Sequence, residues 1–245
     1  MRRVAGLAWI PHGWAPMMSR VSSRRTLESL AADAIAIAES RPRAILGIAG
    51  SPGAGKSTLV AQLLDRIAER KGPGWAAHVP MDGFHLADAQ LRRLGALDRK
   101  GAPDTFDPAG YAHLLERVRE ATDSAVYVPG FDRDLEQPLA AALVVMPGVR
   151  LVVTEGNYLL LDGADWVQAR RAMDRVWFVD GDEQLRTSRL IARHVEFGKS
   201  ETDARAWVAE VDERNAARVA PTAAVADRVI ANGANGWAIS ARSPS

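Results

Sequence analysis

Three groups of residues in this chain have the types and spacing to handle phosphate. The first is Gly50-Ser51-Pro52-Gly53-Ala54-Gly55-Lys56-Ser57-Thr58, with G-x-x-x-x-G-K-S spacing. Glycines there let bare backbone N–H groups curl around an anion with no Cβ in the way. The apolar run 44–49 before it and the amphipathic run 59–64 after it read as strand and helix, so the helix's positive dipole end points at the same spot. This is a Walker A loop. Gly50, Ser51, Gly53, Ala54, Gly55, Lys56, Ser57 and Thr58 are expected to cradle a nucleoside triphosphate, with Lys56 reaching the β/γ-phosphates and the Ser57 hydroxyl ligating Mg²⁺. The competing reading is a chance glycine turn. The flanking strand and helix argue against it, as does the scarcity of lysine: Lys56 is one of only four.

The second group is Glu155, which closes the apolar run Leu151-Val152-Val153. That is the position of a Walker B carboxylate, completing the Mg²⁺ shell directly or through water; the alternative is an acid capping a turn. The third is Asp82, in Met81-Asp82-Gly83-Phe84-His85 at the end of a run, 75–81, that reads as a strand. A hydroxyl acceptor needs a carboxylate within hydrogen-bond reach of its proton, and a loose transition state does not demand a strong base. Asp82 is therefore the candidate general base, although Asp-Gly is also a common turn pair. Arg186, Arg189 and Arg193 share one helix face through offsets of three and seven. They suit the charge that develops on a transferred phosphoryl group, delivered by a closing lid. Arg189 and Arg193, nearest Gly198, are the catalytic candidates. His85 and His194 are candidate contacts to phosphate or acceptor, against the alternative of structural histidines.

These groups need elements to position them. Leu27, Leu30, Ala31, Ala34, Ile35 and Ala38 lie on one helical stripe within 26–39. Asp107-Pro108 is a strong helix start, an N-cap acid followed by proline. Runs 125–128, 141–145, 151–154 and 175–179 read as strands, the second and third joined by Pro147-Gly148. Ser200 with Asp203 is a capping pair for a helix buried through Trp207, Val208 and Val211, and 228–230 reads as a last edge strand. The expected architecture is α/β: a three-layer P-loop NTPase fold with a mainly parallel central sheet and a helical lid at about 186–204. Residues 1–20 are expected to be a flexible extension, and 21–240 a single domain, because no repeat or linker divides the chain.

Composition excludes some functions. With 31 basic against 30 acidic residues, no global field favours nucleic acid or an anionic membrane. The absence of cysteine excludes disulfides, thiolate metal sites and a cysteine nucleophile. No run approaches the ~20 apolar residues of a membrane helix. A cytoplasmic location, a small-molecule hydroxyl acceptor and a possible homodimer are expected; nucleic-acid and membrane partners are not.

Taken together, these segments resemble the phosphoribulokinase/uridine kinase family of P-loop kinases. The resemblance runs from about Arg43 to Ile230. It rests on the glycine loop, Met81-Asp82-Gly83-Phe84-His85, Lys100-Gly101-Ala102-Pro103-Asp104-Thr105-Phe106-Asp107, Glu155-Gly156-Asn157 and the arginine segment 189–198. It implies an ATP- and Mg²⁺-dependent kinase in which Asp82 is the base and Glu155 holds magnesium. The same resemblance places Asp104 and the loop carrying Phe131 and Arg133 against the acceptor. The M-D-G-F and K-G-x-P segments look like bacterial pantothenate kinases; length and lid look like a bacterial subgroup labelled nucleoside kinase or fructose-transport kinase. The chain departs from uridine kinases proper at Asp82-Gly83-Phe84, where they have D-S-F-Y, and lacks their histidine-x-arginine acceptor pair. A rival from another class is a nucleotide-gated switch that hydrolyses ATP without an acceptor; a third is a catalytically silent binding module.

Overall fold

A computed structural model describes residues 15–240. The expectations for residues 1–14 lie outside the described residues. The first helix, α1 (Ala15–Glu39), starts well before the stripe that identified it and takes in residues 15–20 of the expected extension.

The centre of the molecule is a six-stranded sheet. Its strands are β1 (Ala44–Gly50), β2 (Ala76–Pro80), β5 (Leu151–Gly156), β6 (Arg175–Gly181), β7 (Arg228–Gly233) and β8 (Gly236–Ile239). They lie in the order β2-β5-β1-β6-β7-β8, parallel except for β8, which turns back on β7. β7 is therefore an interior strand, not the expected edge. The shortness of 236–239 and its polar start hid the true edge from a periodicity argument.

Helices cover both faces, as parallel strands require. β1 shows why. Ala44, Leu46 and Ile48 point into one core with α1 and α2 (Lys56–Lys71), while Ile45 and Ala49 point into the other. That second core is closed by α4 (Pro108–Glu120) and α5 (Ala164–Arg171). α4 begins as its sequence demands, the Asp107 carboxylate accepting from the Gly110 N–H at 2.9 Å.

The two strands flanking Pro147-Gly148 do not form a hairpin. β3 (Val126–Asp132) and β4 (Gln137–Val145) pair antiparallel in a separate two-stranded ribbon, and the chain then crosses to β5 in the main sheet. Val126, Val128 and Val145 of the ribbon still bury against the second core. The segment before Asp107 contains α3 (Asp88–Leu94). Beyond β6 come α6 (Glu183–Glu196), α7 (Glu201–Trp207) and α8 (Glu213–Val219), with a π-helical turn at 208–212. Ser200 caps α7, accepting from the Asp203 N–H at 3.1 Å. No helix among the described residues is long and apolar enough to cross a membrane.

Arg43, unremarkable in sequence, ties the crossover down. Its side chain is 2% exposed and donates to the carbonyls of Val118, Ala121, Met146, Pro147 and Val149 at 2.7–3.0 Å. One guanidinium thus fastens the end of α4 to the path from β4 to β5. Hydrogen bonds from a charged donor are worth about 1.5–3 kcal/mol each, and losing the donor leaves buried carbonyls unpaired. Arg43→Met is expected to lower the unfolding free energy by at least about 3 kcal/mol, read from the midpoint of urea denaturation at unchanged slope.

Candidate active site

Sheet register brings the three sequence groups to one rim. Glu155 pairs with Ile48 on one side and Pro80 on the other. The glycine loop leaves β1 just beyond Ile48, and Asp82 follows Pro80 in a short 3₁₀ turn (Met81–Phe84). The carboxyl ends of parallel strands are where such folds bind ligands.

The loop has the backbone its glycines promised. Gly53 and Gly55 lie at φ of 74° and 100°, in the left-handed region that a side chain disfavours. A Cβ at Gly53 would also sit 2.8 Å from the Arg186 carbonyl oxygen. Lys56 opens α2 and is buried. Its ammonium donates to the carbonyls of Gly50 and Ser51 at 3.0 and 3.1 Å and to Asn157 Oδ1 at 2.6 Å. Burial pulls its pKa down to about 8, against the opposing charges of Glu155 and Asp82. Asn157 carried no role in the sequence reading. Its signal was its place, the first polar residue past the Glu155-Gly156 strand end.

Ser57 Oγ donates to Glu155 Oε1 at 3.2 Å. Burial first, and the Asp82 charge second, push the Glu155 pKa up. Burial also works against the Asp82 carboxylate, but His85, Arg133, Lys56 and Arg193 outweigh it, and Asp82 titrates below its ordinary value. Arg133 Nη2 donates to Asp82 Oδ2 at 2.6 Å. The Ser57 hydroxyl and the Glu155 carboxylate fit a hard divalent ion that takes its other ligands from phosphate and water. Among the described residues no group of three or more His, Cys, Asp or Glu forms a cation site of its own. The partial shell is what a phosphate-bound Mg²⁺ requires.

Lys56, Ser57, Asp82 and Glu155 line a cavity of about 720 Å³ that also takes in His85, Phe131, Arg133, Asn157, Arg189 and Arg193. His85 stacks on Phe106 with ring centres 3.9 Å apart, and its Nδ1 is buried without a partner. Burial drops its pKa to about 4, so the ring is neutral at pH 7. Arg133 lies over Phe131, 4.9 Å from the ring centre. On the far side stand His194, paired with Asp212 at 2.9 Å, and Trp207, with the Lys199 ammonium 4.4 Å from its ring centre.

Two sequence candidates fall elsewhere. Asp104 is not among the lining residues; it is exposed and engaged by Arg99. Its one-residue offset from the buried Thr105 in a 3₁₀ turn sends it outward. Arg186 is 5% exposed and pairs with both Glu213 oxygens at 2.6 and 2.7 Å, also donating to the Pro52 carbonyl at 3.3 Å. It fastens α6 to the loop, while Arg189 and Arg193 face the cavity.

The sequence profile of the Phosphoribulokinase / Uridine kinase family matches residues 45–235. The chain belongs to this family. A Schizosaccharomyces pombe protein named "Putative uridine kinase C227.14" is 32% identical over 177 residues, covering 71% of this chain and 75% of that one. The Escherichia coli "Uncharacterized protein YggC" is 34% identical over 178 residues, covering 72% and 73%. A solved structure from Silicibacter sp. TM1040, called a "putative fructose transport system kinase", superposes with a TM-score of 0.72 at 33% identity, over 80% of this chain and 94% of that one. This phosphoribulokinase/uridine kinase family member is an ATP-binding P-loop kinase, a phosphotransferase with an α/β fold.

The depressed Lys56 pKa has a consequence for stability. Between about pH 8 and the ordinary lysine value of 10.5 the unfolded chain holds a proton that the folded chain has released. Stability rises with pH wherever the unfolded state binds more protons. Raising the pH from 8 to 10.5 is therefore expected to stabilise the wild type relative to Lys56→Met by up to about 3 kcal/mol, measured by denaturant titration across that range. A constant difference between the two proteins would show that Lys56 keeps its ordinary pKa.

Proposed function

We propose that this kinase transfers the γ-phosphoryl group of ATP to a hydroxyl of a small metabolite: a nucleoside such as uridine, a sugar, or a pantothenate-like acceptor. The observation that carries this reading is the Asp82 carboxylate, set at the same sheet rim as Lys56 and Glu155 and facing one cavity with them. A pure ATP switch has no use for a base beside an enclosed pocket.

The loop N–H groups and Lys56 hold the triphosphate. Ser57 and Glu155 would hold Mg²⁺, which supplies charge neutralisation on the phosphate oxygens when bound. Asp82, held ionised by its cationic neighbours and oriented by Arg133, accepts the proton of the attacking hydroxyl at its carboxylate oxygen. A weak base suffices because the proton leaves late in a loose transition state. Arg193 and Arg189 stabilise negative charge on the equatorial oxygens. Phe131, Arg133 and His85 form the acceptor wall.

Asp82→Asn is expected to retain ATP binding while phosphoryl transfer falls by about 10²–10⁴, the usual range for loss of a general base. Coupled-assay ADP release, with and without nucleosides, sugars, glycerate and pantothenate, checks both points. ADP release that no acceptor stimulates, and that survives Asp82→Asn, would instead identify an ATPase switch.

A further inference from the structure

A second cavity, of about 750 Å³, opens on the other side of the glycine loop. Gly55, Thr58 and Arg189 line both cavities, so the two meet at the start of α2. If the loop holds the triphosphate, as proposed above, one cavity is taken up by Asp82 and the acceptor wall. The nucleoside then has the second to enter.

The outer wall of that second cavity comes from parts of the chain beyond the span matched by the family profile, 45–235. α1 contributes Ser23, Arg24 and Leu27, and β8 contributes Gly236 and Trp237. These two elements are fastened together. The Trp237 N–H donates to Ser23 Oγ at 2.9 Å, and a Cβ on Gly236 would collide with that same hydroxyl. Gly236 lies at φ of 85°, so the turn and the close approach both call for glycine. The Trp237 indole N–H donates to Gln62 Oε1 on α2 at 2.7 Å, spanning the cavity floor. One strand earlier, the Asn232 side chain donates to the Ala54 carbonyl at 2.8 Å, linking the same hairpin to the loop.

Within this frame Arg24 stands out. It is exposed and has no ion-pair partner among the described residues, whereas Arg66 beside it is engaged by Glu69 at 2.6 Å. A planar guanidinium at a cavity mouth can lie against a base or donate to ribose oxygens. We propose that the α1–β8 clamp is a nucleoside-reading wall, with Arg24 as its contact to the base or ribose and the Ser23–Trp237 bond holding it in place. The proposal rests on the triphosphate reading of the loop. It adds an affinity determinant lying outside the matched family core.

The test compares Mg²⁺·ATP with Mg²⁺·tripolyphosphate, which has the phosphates and no nucleoside, by isothermal titration calorimetry on the full chain. Arg24→Ala is expected to weaken ATP binding about tenfold, as the loss of one charged hydrogen bond or stacked guanidinium would, and to leave tripolyphosphate binding unchanged. Ser23→Ala is expected to act in the same direction through Trp237, with a smaller effect. Equal weakening of both ligands by Arg24→Ala would reduce Arg24 to a general attractive charge, and no weakening of either would remove it from the site; either result overturns the clamp alone. Lys56→Ala separates the underlying reading. If it leaves both ligands bound as tightly as before, the loop is not the triphosphate site, and the clamp falls with it.

Discussion

The structure is organised around an ammonium group buried with no carboxylate touching it. Lys56 is satisfied by two loop carbonyls and one amide oxygen, none of which carries a full negative charge. Burying such a charge is unfavourable, and the lowered pKa records it. The nearby acids act only at a distance, and both have other partners: Asp82 is tied to Arg133, and Glu155 accepts from Ser57. The site therefore holds positive charge that its own anions do not cancel by contact. A phosphate entering the loop meets N–H groups already aimed and a lysine that need only exchange neutral oxygens for charged ones. Such preorganisation makes electrostatic stabilisation effective, because no reorganisation is needed when charge develops.

Much of this was legible in the chain because it is local. A glycine loop between a strand and a helix, an Asp-Pro helix start and a Ser-x-x-Asp cap each work within a few residues, and each formed where it was read. Glu155 was readable for a related reason: an acid ending a run buried on both sides has only the sheet rim to occupy. What was hidden depends on partners far away in sequence. Pro147-Gly148 reads identically whether its flanking strands pair or part, and they part because β4 pairs with β3. Arg43 looks like any arginine before a strand until five carbonyls from the end of α4 and the 146–149 crossover converge on it. Arg186, Arg189 and Arg193 share a face by spacing alone. Only the packing of Glu213 beneath α6 shows that the first is structural and the others line the cavity.

That distinction bears on how the arginines reach the phosphates. A lid that swings α6 as a unit would have to break the bidentate Arg186–Glu213 pair and the contact with Pro52. Separating the pair leaves the buried Arg186 guanidinium without its anion, which is unfavourable, and a ligand can drive such a change only by as much as it binds the closed form better. Leu190, 1% exposed, adds a packed side chain on the same anchored half. Arg189 and Arg193 thus sit on a helix whose first two turns are anchored by Arg186 and Leu190. The residue suited to bending comes later, Gly198, at φ of 95° with nothing within 4 Å of where a Cβ would be. The pairs His194–Asp212 and Arg186–Glu213 tie the chain beyond Gly198 back to α6.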